Sequence, residues 1–287
     1  MKIIILSLYL LLFGYTEVLH ADYNDGLTAY HEGDYKTALS EWKPLAEQGD
    51  ADAQNNLGVL YNKGQGVTKD YEEAIKWYRK SANQGYVNAQ YSLGSMYETA
   101  RGVVRDDKKS FKWYYKAAEQ EHDSAQYQIG LMLYEGRGAA KDDKEAVKWY
   151  LKSAKQGNID AQYNLGFMYG AGKGVTKDGT ESSYWFKKAA KKGDSYAQYV
   201  LGLMYSEGES VTKDYKEAAK WYRKAAEQGH DSAQYELGAM YAFGRGVTKD
   251  LSKTKYWIKK AYKNPNISSK TLKLVKKIWS DFELWKY

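Results

Sequence analysis

The residues of this chain that could carry out chemistry are few, and their spacing does not match a complete catalytic site. Ser252 and Lys255 form a Ser-x-x-Lys pair, the spacing found around the serine nucleophile of β-lactam-reactive enzymes. The Ser-Asp-Asn and Lys-Thr-Gly motifs that accompany it in those enzymes are absent from the sequence. The pair also lies at the start of a predicted helix, where both residues are ordinary at the surface. We therefore expect no catalytic role for it.

Metal and phosphate sites have equally little support. The chain has no cysteine, which excludes a disulfide, a thiolate nucleophile and a cysteine zinc site. His122 and His230 are far apart in sequence and are predicted to be turn residues. Glycine pairs such as Gly64 and Gly66 lack the Lys-Ser/Thr ending of a phosphate loop, and an aspartate follows at the next helix start. The sequence thus predicts no cofactor, no metal and no enzymatic activity.

The first 21 residues have the pattern of a secretory signal peptide. Lys2 is followed by an apolar run from Ile3 to Phe13, and a small residue, Ala21, ends the segment. The run is shorter than the roughly 20 apolar residues that span a bilayer. We expect cleavage after Ala21 and a periplasmic or secreted protein, with an uncleaved membrane anchor as the alternative.

Three sequence markers recur with a period of 36 residues. The dipeptide Ala-Gln begins at positions 53, 89, 125, 161, 197 and 233; tryptophan lies at 77, 113, 149, 185, 221 and 257; aspartate lies at 70, 106, 142, 178, 214 and 250. A period of this length is typical of solenoids built from pairs of helices. The markers therefore predict six helix-turn-helix units between residues 50 and 263.

Each unit predicts two helices joined by a glycine loop. In the first unit, one helix is expected from Ala51 to about Asn62, because apolar residues recur at helical spacing. Asp70 is expected to cap the second helix, with Glu73 as its reciprocal partner. The second helix should direct Trp77 into the core.

The repeated motifs carry a family resemblance. Ala-Gln-x-x-Leu-Gly, Gly-x-Gly-Val-x-x-Asp and Ala-x-x-Trp-Tyr-x-Lys-Ala-Ala, together clearest between Asp194 and Gly229, resemble the Sel-one-like repeat family of the tetratricopeptide superfamily. The resemblance implies an all-α, right-handed α-solenoid. Residues 22–49 would form an N-terminal capping repeat, and residues 264–287 a basic C-terminal capping helix.

The resemblance also implies a function. Such repeats mainly serve as adaptors, so an exported, non-catalytic scaffold that binds protein or peptide segments is expected, in a bacterial envelope. One alternative is a hydrolase like the cysteine-rich β-lactamases of this repeat family, although the cysteines are absent here. Another alternative is a secreted effector that acts on host proteins.

Partner-binding residues are expected on the first helix of each unit, which should face the concave side of the solenoid. Two positions there vary between units and are our candidates: Asn56, Val59, Ser92, Ser95, Gln128, Leu131, Asn164, Phe167, Val200, Leu203, Glu236 and Ala239. A stripe of tyrosines runs beside them at 91, 127, 163, 199 and 235. Tyrosine suits both an interface and packing between helices, so both interpretations of the stripe stay open.

Charge is concentrated at the C-terminal end. The whole chain carries +7, and residues 251–287 hold ten lysines against Asp281 and Glu283, a net charge of +8. This end would suit a weak contact with an anionic membrane or an acidic partner, or it is simply a solvated surface. No nucleic-acid-binding module is present, so no nucleic-acid partner is expected. The sequence indicates no oligomeric state.

Overall fold

The computed structural model describes residues 22–286, so the predicted signal peptide lies outside the described residues. Within them, every regular element is a helix. The α-helices of this part are α1 Tyr23–Glu32, α2 Tyr35–Glu47, α3 Ala51–Lys63, α4 Tyr71–Asn83, α5 Val87–Thr99, α6 Asp107–Glu119, α7 Asp123–Glu135, α8 Asp143–Gln156, α9 Ile159–Ala171, α10 Gly179–Lys191, α11 Ser195–Glu207, α12 Tyr215–Glu227, α13 Asp231–Phe243, α14 Leu251–Tyr262 and α15 Ser269–Asp281. A short 3₁₀ turn follows at Leu284–Lys286.

The helices form two compact units, a first unit of residues 22–120 and a second unit of residues 121–286. Each 36-residue helix pair within them is called a repeat from here on. Within each unit, every helix packs against the next one along the chain. This sequential packing of helix pairs confirms the all-α solenoid, while its right-handed sense stays a prediction.

The even-numbered helices supply the large side chains of the core. In the second unit, Trp149 and Tyr150 of α8 and Tyr222 of α12 are buried. The preceding helix makes room for such a ring with a glycine. A Cβ atom built at Gly202 of α11 would lie 2.4 Å from the ring of Tyr222. The small residues of the Leu-Gly motif are therefore required by close packing of each helix pair.

The glutamine of each Ala-Gln pair joins consecutive helices. Gln198 is buried, and its Nε2 donates to the carbonyl of Ala190 at the end of α10, 3.0 Å away. Its Oε1 accepts from Nε2 of Gln228, which follows α12, at 2.8 Å. Gln54 makes the same pair of bonds in the first unit, to Ala46 and from Gln84. The glutamine recurs because it satisfies a carbonyl that a helix end leaves without an intrahelical partner.

The predicted capping box is only half formed. Asp70 Oδ1 accepts from the backbone N–H of Glu73 at 3.0 Å, as expected. The Glu73 carboxylate, however, accepts from Lys76 Nζ at 2.9 Å instead of from the cap residue. The reason is that the backbone N–H of Asp70 already donates to the carbonyl of Tyr61 in α3. The reciprocal half of the box is thus replaced by a backbone hydrogen bond between the two helices of one repeat.

The two turn histidines are helix caps. Nδ1 of His230 accepts from the backbone N–H of Ala233 at 3.3 Å, and Nδ1 of His122 accepts from that of Ala125 at 3.2 Å. Burial lowers the pKa of both imidazoles. A neutral ring can accept at Nδ1, so these histidines replace the aspartate that caps α11.

In the turn that follows the second helix of a repeat, Glu121 is a non-glycine residue with a left-handed backbone. Glu121 has φ 65°, whereas the equivalent Gly193 and Gly229 have φ 102° and 91°. No heavy atom other than the chain neighbours would lie within 4 Å of a Cβ atom at either glycine. The position therefore restricts residue type through backbone conformation and not through crowding.

We expect Glu121→Gly to raise the free energy of unfolding by about 0.5–1 kcal/mol, because a side chain disfavours the left-handed region. The reciprocal change Gly229→Glu should lower it by a similar amount. Urea unfolding followed by circular dichroism would measure both. A destabilised Glu121→Gly variant would show that this turn does not adopt a left-handed backbone.

The C-terminal cap differs from the single capping helix that the sequence predicted within residues 264–287. Helix α15 ends at Asp281, and Glu283 takes a positive φ of 47°. The turn folds Leu284 back into a fully buried position beside Ile258 and Ala261 of α14. Burying that leucine stabilises the early end of the helix.

Candidate functional site

A cleft in the second unit brings together three of the residues that the sequence predicted. Leu203 of α11 and Glu236 and Ala239 of α13 line a cavity of about 370 Å³. The rest of the lining consists of Ser206, Glu207, Tyr215, Tyr222, Tyr235, Met240, Phe243, Arg245 and Leu274. We call this cavity the acidic cleft, because two carboxylates face one guanidinium in its walls. Helices α11, α12, α13 and α15 all contribute to it.

The carboxylate of Glu236 is the unusual group in this cleft. Burial raises its pKa, and the nearby charge of Glu207 raises it further, while Lys270 and Arg245 act in the opposite direction. Among the described residues, neither glutamate forms an ion pair within the salt-bridge distance of 4.0 Å. Arg245 instead places its guanidinium 5.3 Å from the ring centre of Phe243. The cleft therefore holds negative charge without a bonded counter-ion.

We expect Glu236→Gln to stabilise the protein by about 1 kcal/mol at pH 7, because it removes a partly desolvated charge without a direct partner. The folded pKa of Glu236 is raised above the unfolded value, so the ionised carboxylate opposes folding above the folded pKa. That penalty disappears below the unfolded pKa. The stabilisation should accordingly vanish near pH 4.

Thermal unfolding of both proteins at pH 7 and pH 4 would measure this difference. Glutamine should fit, because Gln128 occupies the same repeat position. A variant less stable than the parent at pH 7 would mean that the carboxylate has a stabilising partner.

The tyrosine stripe packs against the core. Tyr163 contacts Phe186 with ring centres 5.4 Å apart, and Tyr199 contacts Tyr222 at 5.9 Å. Burial raises the pKa of Tyr199 to about 12. Each of these contacts joins the two helices of one repeat, so the stripe has a packing role. Tyr235 also lines the acidic cleft.

The other candidates lie on the odd-numbered helices and differ in exposure. Phe167 of α9 is 43% exposed, with Lys173 Nζ 5.2 Å from its ring centre. Asn56 Nδ2 donates to the hydroxyl of Tyr23 at 3.1 Å, so it also serves packing. The half-buried candidates are Asn56, Val59, Ser92 and Ser95 in the first unit and Gln128, Leu131, Asn164 and Val200 in the second. Phe167 is therefore the most accessible apolar side chain of the set.

A second cleft in the same unit also involves a candidate residue. Asn164 lines a cavity of about 340 Å³. Its other walls are Tyr127, Asp160, Tyr163, Asp194 and Tyr196. This tyrosine-aspartate cleft repeats the combination of carboxylates and aromatic rings found in the acidic cleft.

The basic C-terminal end forms a cavity of its own. Lys259, Tyr262 and Lys263 of the α14 end face Val275, Lys276 and Trp279 of α15 across about 460 Å³. We call it the basic cap cavity. Its walls combine apolar surface with three ammonium groups, which is chemistry that suits an anionic group carried on an apolar body.

The described residues contain no group of side chains that could bind a metal ion. Between residues 22 and 286, no three histidine or acidic side chains are grouped so that they could hold a metal ion. Ser252 is exposed in the first turn of α14. In the same part of the chain, no helix has the length and apolar character needed to cross a membrane.

Sequence reasoning missed several walls of the acidic cleft. Arg245 lies in a loop and Leu274 in the cap helix, so neither belongs to the first helix of a unit. One signal was available: Glu236 is the only charged residue at its repeat position, where the other units hold Asn56, Ser92, Gln128, Asn164 and Val200.

Comparisons with known proteins agree with the repeat. The Sel1 repeat family matches residues 51–86, 87–122, 123–158, 159–194, 195–230 and 231–266. A solved structure of a protective antigen from uropathogenic Escherichia coli, described as displaying an SLR fold, is 37% identical with a TM-score of 0.81. That match covers 85% of this chain and 52% of the antigen, so the chain spans about half the antigen's length.

A Sel1 repeat protein from Oxalobacter formigenes is also similar in structure. It is 35% identical with a TM-score of 0.73, and the match covers 82% of this chain and 94% of that protein. No curated protein sequence matches the chain.

Proposed function

Because the chain belongs to the Sel1 repeat family, whose members generally act as protein-interaction scaffolds, we propose that it is an exported, non-catalytic scaffold that binds protein or peptide segments in a bacterial envelope. The observation that carries the proposal is the surface of the odd-numbered helices in the second unit. These helices carry the exposed ring of Phe167 and most of the residues that line the acidic cleft. Accessible apolar side chains and polar clefts are both typical of partner sites.

Phe167→Ala tests this surface. We expect the melting temperature to change little, because 43% of the side chain is already exposed, and binding of a selected peptide to weaken about tenfold. Peptides would be selected by panning a random library against residues 22–287 and measured by fluorescence anisotropy.

Tyr184→Ala is the matched control, because Tyr184 is an aromatic residue of α10 with 46% exposure. It lies on an even-numbered helix, so its truncation should leave peptide binding unchanged. Equal losses in both variants, or a library that yields no binding peptide, would contradict the proposed surface. Nitrocefin hydrolysis by the same protein would contradict the non-catalytic part.

Export rests on the pattern of residues 1–21 and gains support from the E. coli relative. A protective antigen must be accessible to the host immune system, and the relative is described as one. The protein isolated from periplasm and medium should begin at Asp22, and N-terminal sequencing would measure this. A protein that begins at Met1 in those fractions would contradict cleavage.

The basic cap cavity supports a weak second contact with an anionic membrane or an acidic partner. Lys259, Lys263 and Lys276 line it around Trp279. Trp279 fluorescence is masked by the other tryptophans, so co-sedimentation with vesicles is the better measurement. More protein should sediment with phosphatidylglycerol vesicles than with phosphatidylcholine vesicles, and Lys259→Gln with Lys276→Gln should remove the difference. Equal sedimentation with both vesicle types would contradict a membrane contact.

A further inference from the structure

We propose that the acidic cleft binds a lysine or arginine side chain of the segment that the scaffold recognises. The inference rests on the proposed function and adds the chemistry of the anchoring residue.

The charges of the cleft favour a cation. Glu207 and Glu236 both line it, and Arg245 is the single cationic side chain in its walls. Lys270, which is not part of the lining, also lowers the pKa of Glu236 through its charge. The guanidinium of Arg245 lies over Phe243 and forms no ion pair with either glutamate. Glu236 is partly buried, and a partly desolvated carboxylate gains more from an incoming cation than a fully hydrated one does.

The aromatic walls favour a cation as well. Tyr222, Tyr235 and Phe243 are among the residues that line the cavity, and a cation within about 6 Å of a ring centre is attracted to the ring face. Arg245 already uses Phe243 in this way, with a separation of 5.3 Å. An apolar stem of the length found in lysine and arginine would also bury against Leu203 and Leu274.

The repeats show that Glu236 is not needed for packing. The equivalent positions hold the neutral residues Asn56, Ser92, Gln128, Asn164 and Val200, and the same helix pairs form around them. A partly buried carboxylate opposes folding where a neutral residue would serve. A ligand that the carboxylate binds explains why Glu236 is present in this one repeat.

The tyrosine-aspartate cleft supplies an independent instance of the same chemistry. Asp160 and Asp194 line it together with Tyr127, Tyr163 and Tyr196. Asp194 Oδ1 accepts from the backbone N–H of Ala197 at 2.6 Å, so this carboxylate also caps α11. A segment with two basic residues would therefore find an acidic, aromatic cleft for each of them within the second unit.

The test uses n-butylguanidinium, a mimic of the arginine side chain, with the neutral n-butylurea as its control. Both are titrated into residues 22–287, and the backbone amides of Gly238 and Ala239 are followed by nuclear magnetic resonance. We expect saturable shifts with the cation only, and a dissociation constant about tenfold larger in Glu236→Gln. Glu207→Ala should weaken binding in the same direction. Glu135→Ala, a change at the position equivalent to Glu207 in another 36-residue repeat, should leave it unchanged.

The proposal would be overturned by any of three results. These are no saturable shift with the cation, equal shifts with n-butylurea, or equal affinity in the parent, Glu236→Gln and Glu207→Ala. The proposed scaffold function fails separately, through the peptide panning. Panned peptides could bind and yet lack lysine and arginine, with equal affinity for the parent and Glu236→Gln. That result would support the scaffold function and contradict the cation-binding role of the acidic cleft.

Discussion

Trp149→Ala should lower the free energy of unfolding by about 3–5 kcal/mol, the usual loss for deleting a buried tryptophan. Trp149 is 5% exposed in α8, and Lys152 Nζ lies 4.1 Å from its ring centre. The substitution opens a large cavity between consecutive helices of the second unit. Urea unfolding followed by circular dichroism at 222 nm would measure the loss.

Trp285→Ala is the control for this substitution, because Trp285 is 58% exposed in the terminal 3₁₀ turn. Its truncation should change the free energy of unfolding by less than about 0.5 kcal/mol. A loss below 1 kcal/mol for Trp149→Ala would mean that the tryptophans of the even-numbered helices do not line the core.

Gly202→Val should be destabilising by about 1–3 kcal/mol through overpacking. A Cβ atom at this position lies 2.4 Å from the Tyr222 ring, closer than real side chains approach. The valine forces apart α11 and α12, the two helices of one 36-residue repeat. Thermal unfolding would measure the effect.

A double variant separates overpacking from helix propensity. Tyr222→Ala removes the ring that the valine meets. The double variant should therefore lose less free energy of unfolding than the sum of the losses in the two single variants. Full additivity would show that the glycine does not exist to admit the tyrosine ring.

Local features of the fold could be predicted from the sequence because they repeat. Ala51 was expected to begin a helix ending near Asn62, and the observed α3 ends one residue later, at Lys63. Six copies of one pattern average out the ambiguity that any single helix signal carries, and the caps and glycine loops fix the ends.

Contacts between distant residues could not be predicted in the same way. The repeat alone does not show that Tyr61 satisfies the backbone N–H of Asp70, which leaves Glu73 free to bind Lys76. The turn at Glu283 depends on the burial of Leu284, a contact outside the repeat. Periodicity identifies which residues share a helix face, but not which polar groups meet across helices.

The candidate site was predictable in part for the same reason. Leu203, Glu236 and Ala239 were found because they occupy variable positions of the repeat, and they do line one cleft. Arg245 and Leu274 reach that cleft from a loop and from the cap helix. Their participation depends on how α15 packs against α13 and α14, which the 36-residue period does not encode.

Hydrogen exchange of the second unit, with and without a peptide selected by panning, tests the central claim most directly. If the odd-numbered helices form the partner surface, bound peptide should slow exchange in α9, α11 and α13 and leave the outer turns of α10, α12 and α14 unchanged. Protection confined to the even-numbered helices, with the peptide bound at saturating concentration, would contradict the proposed surface.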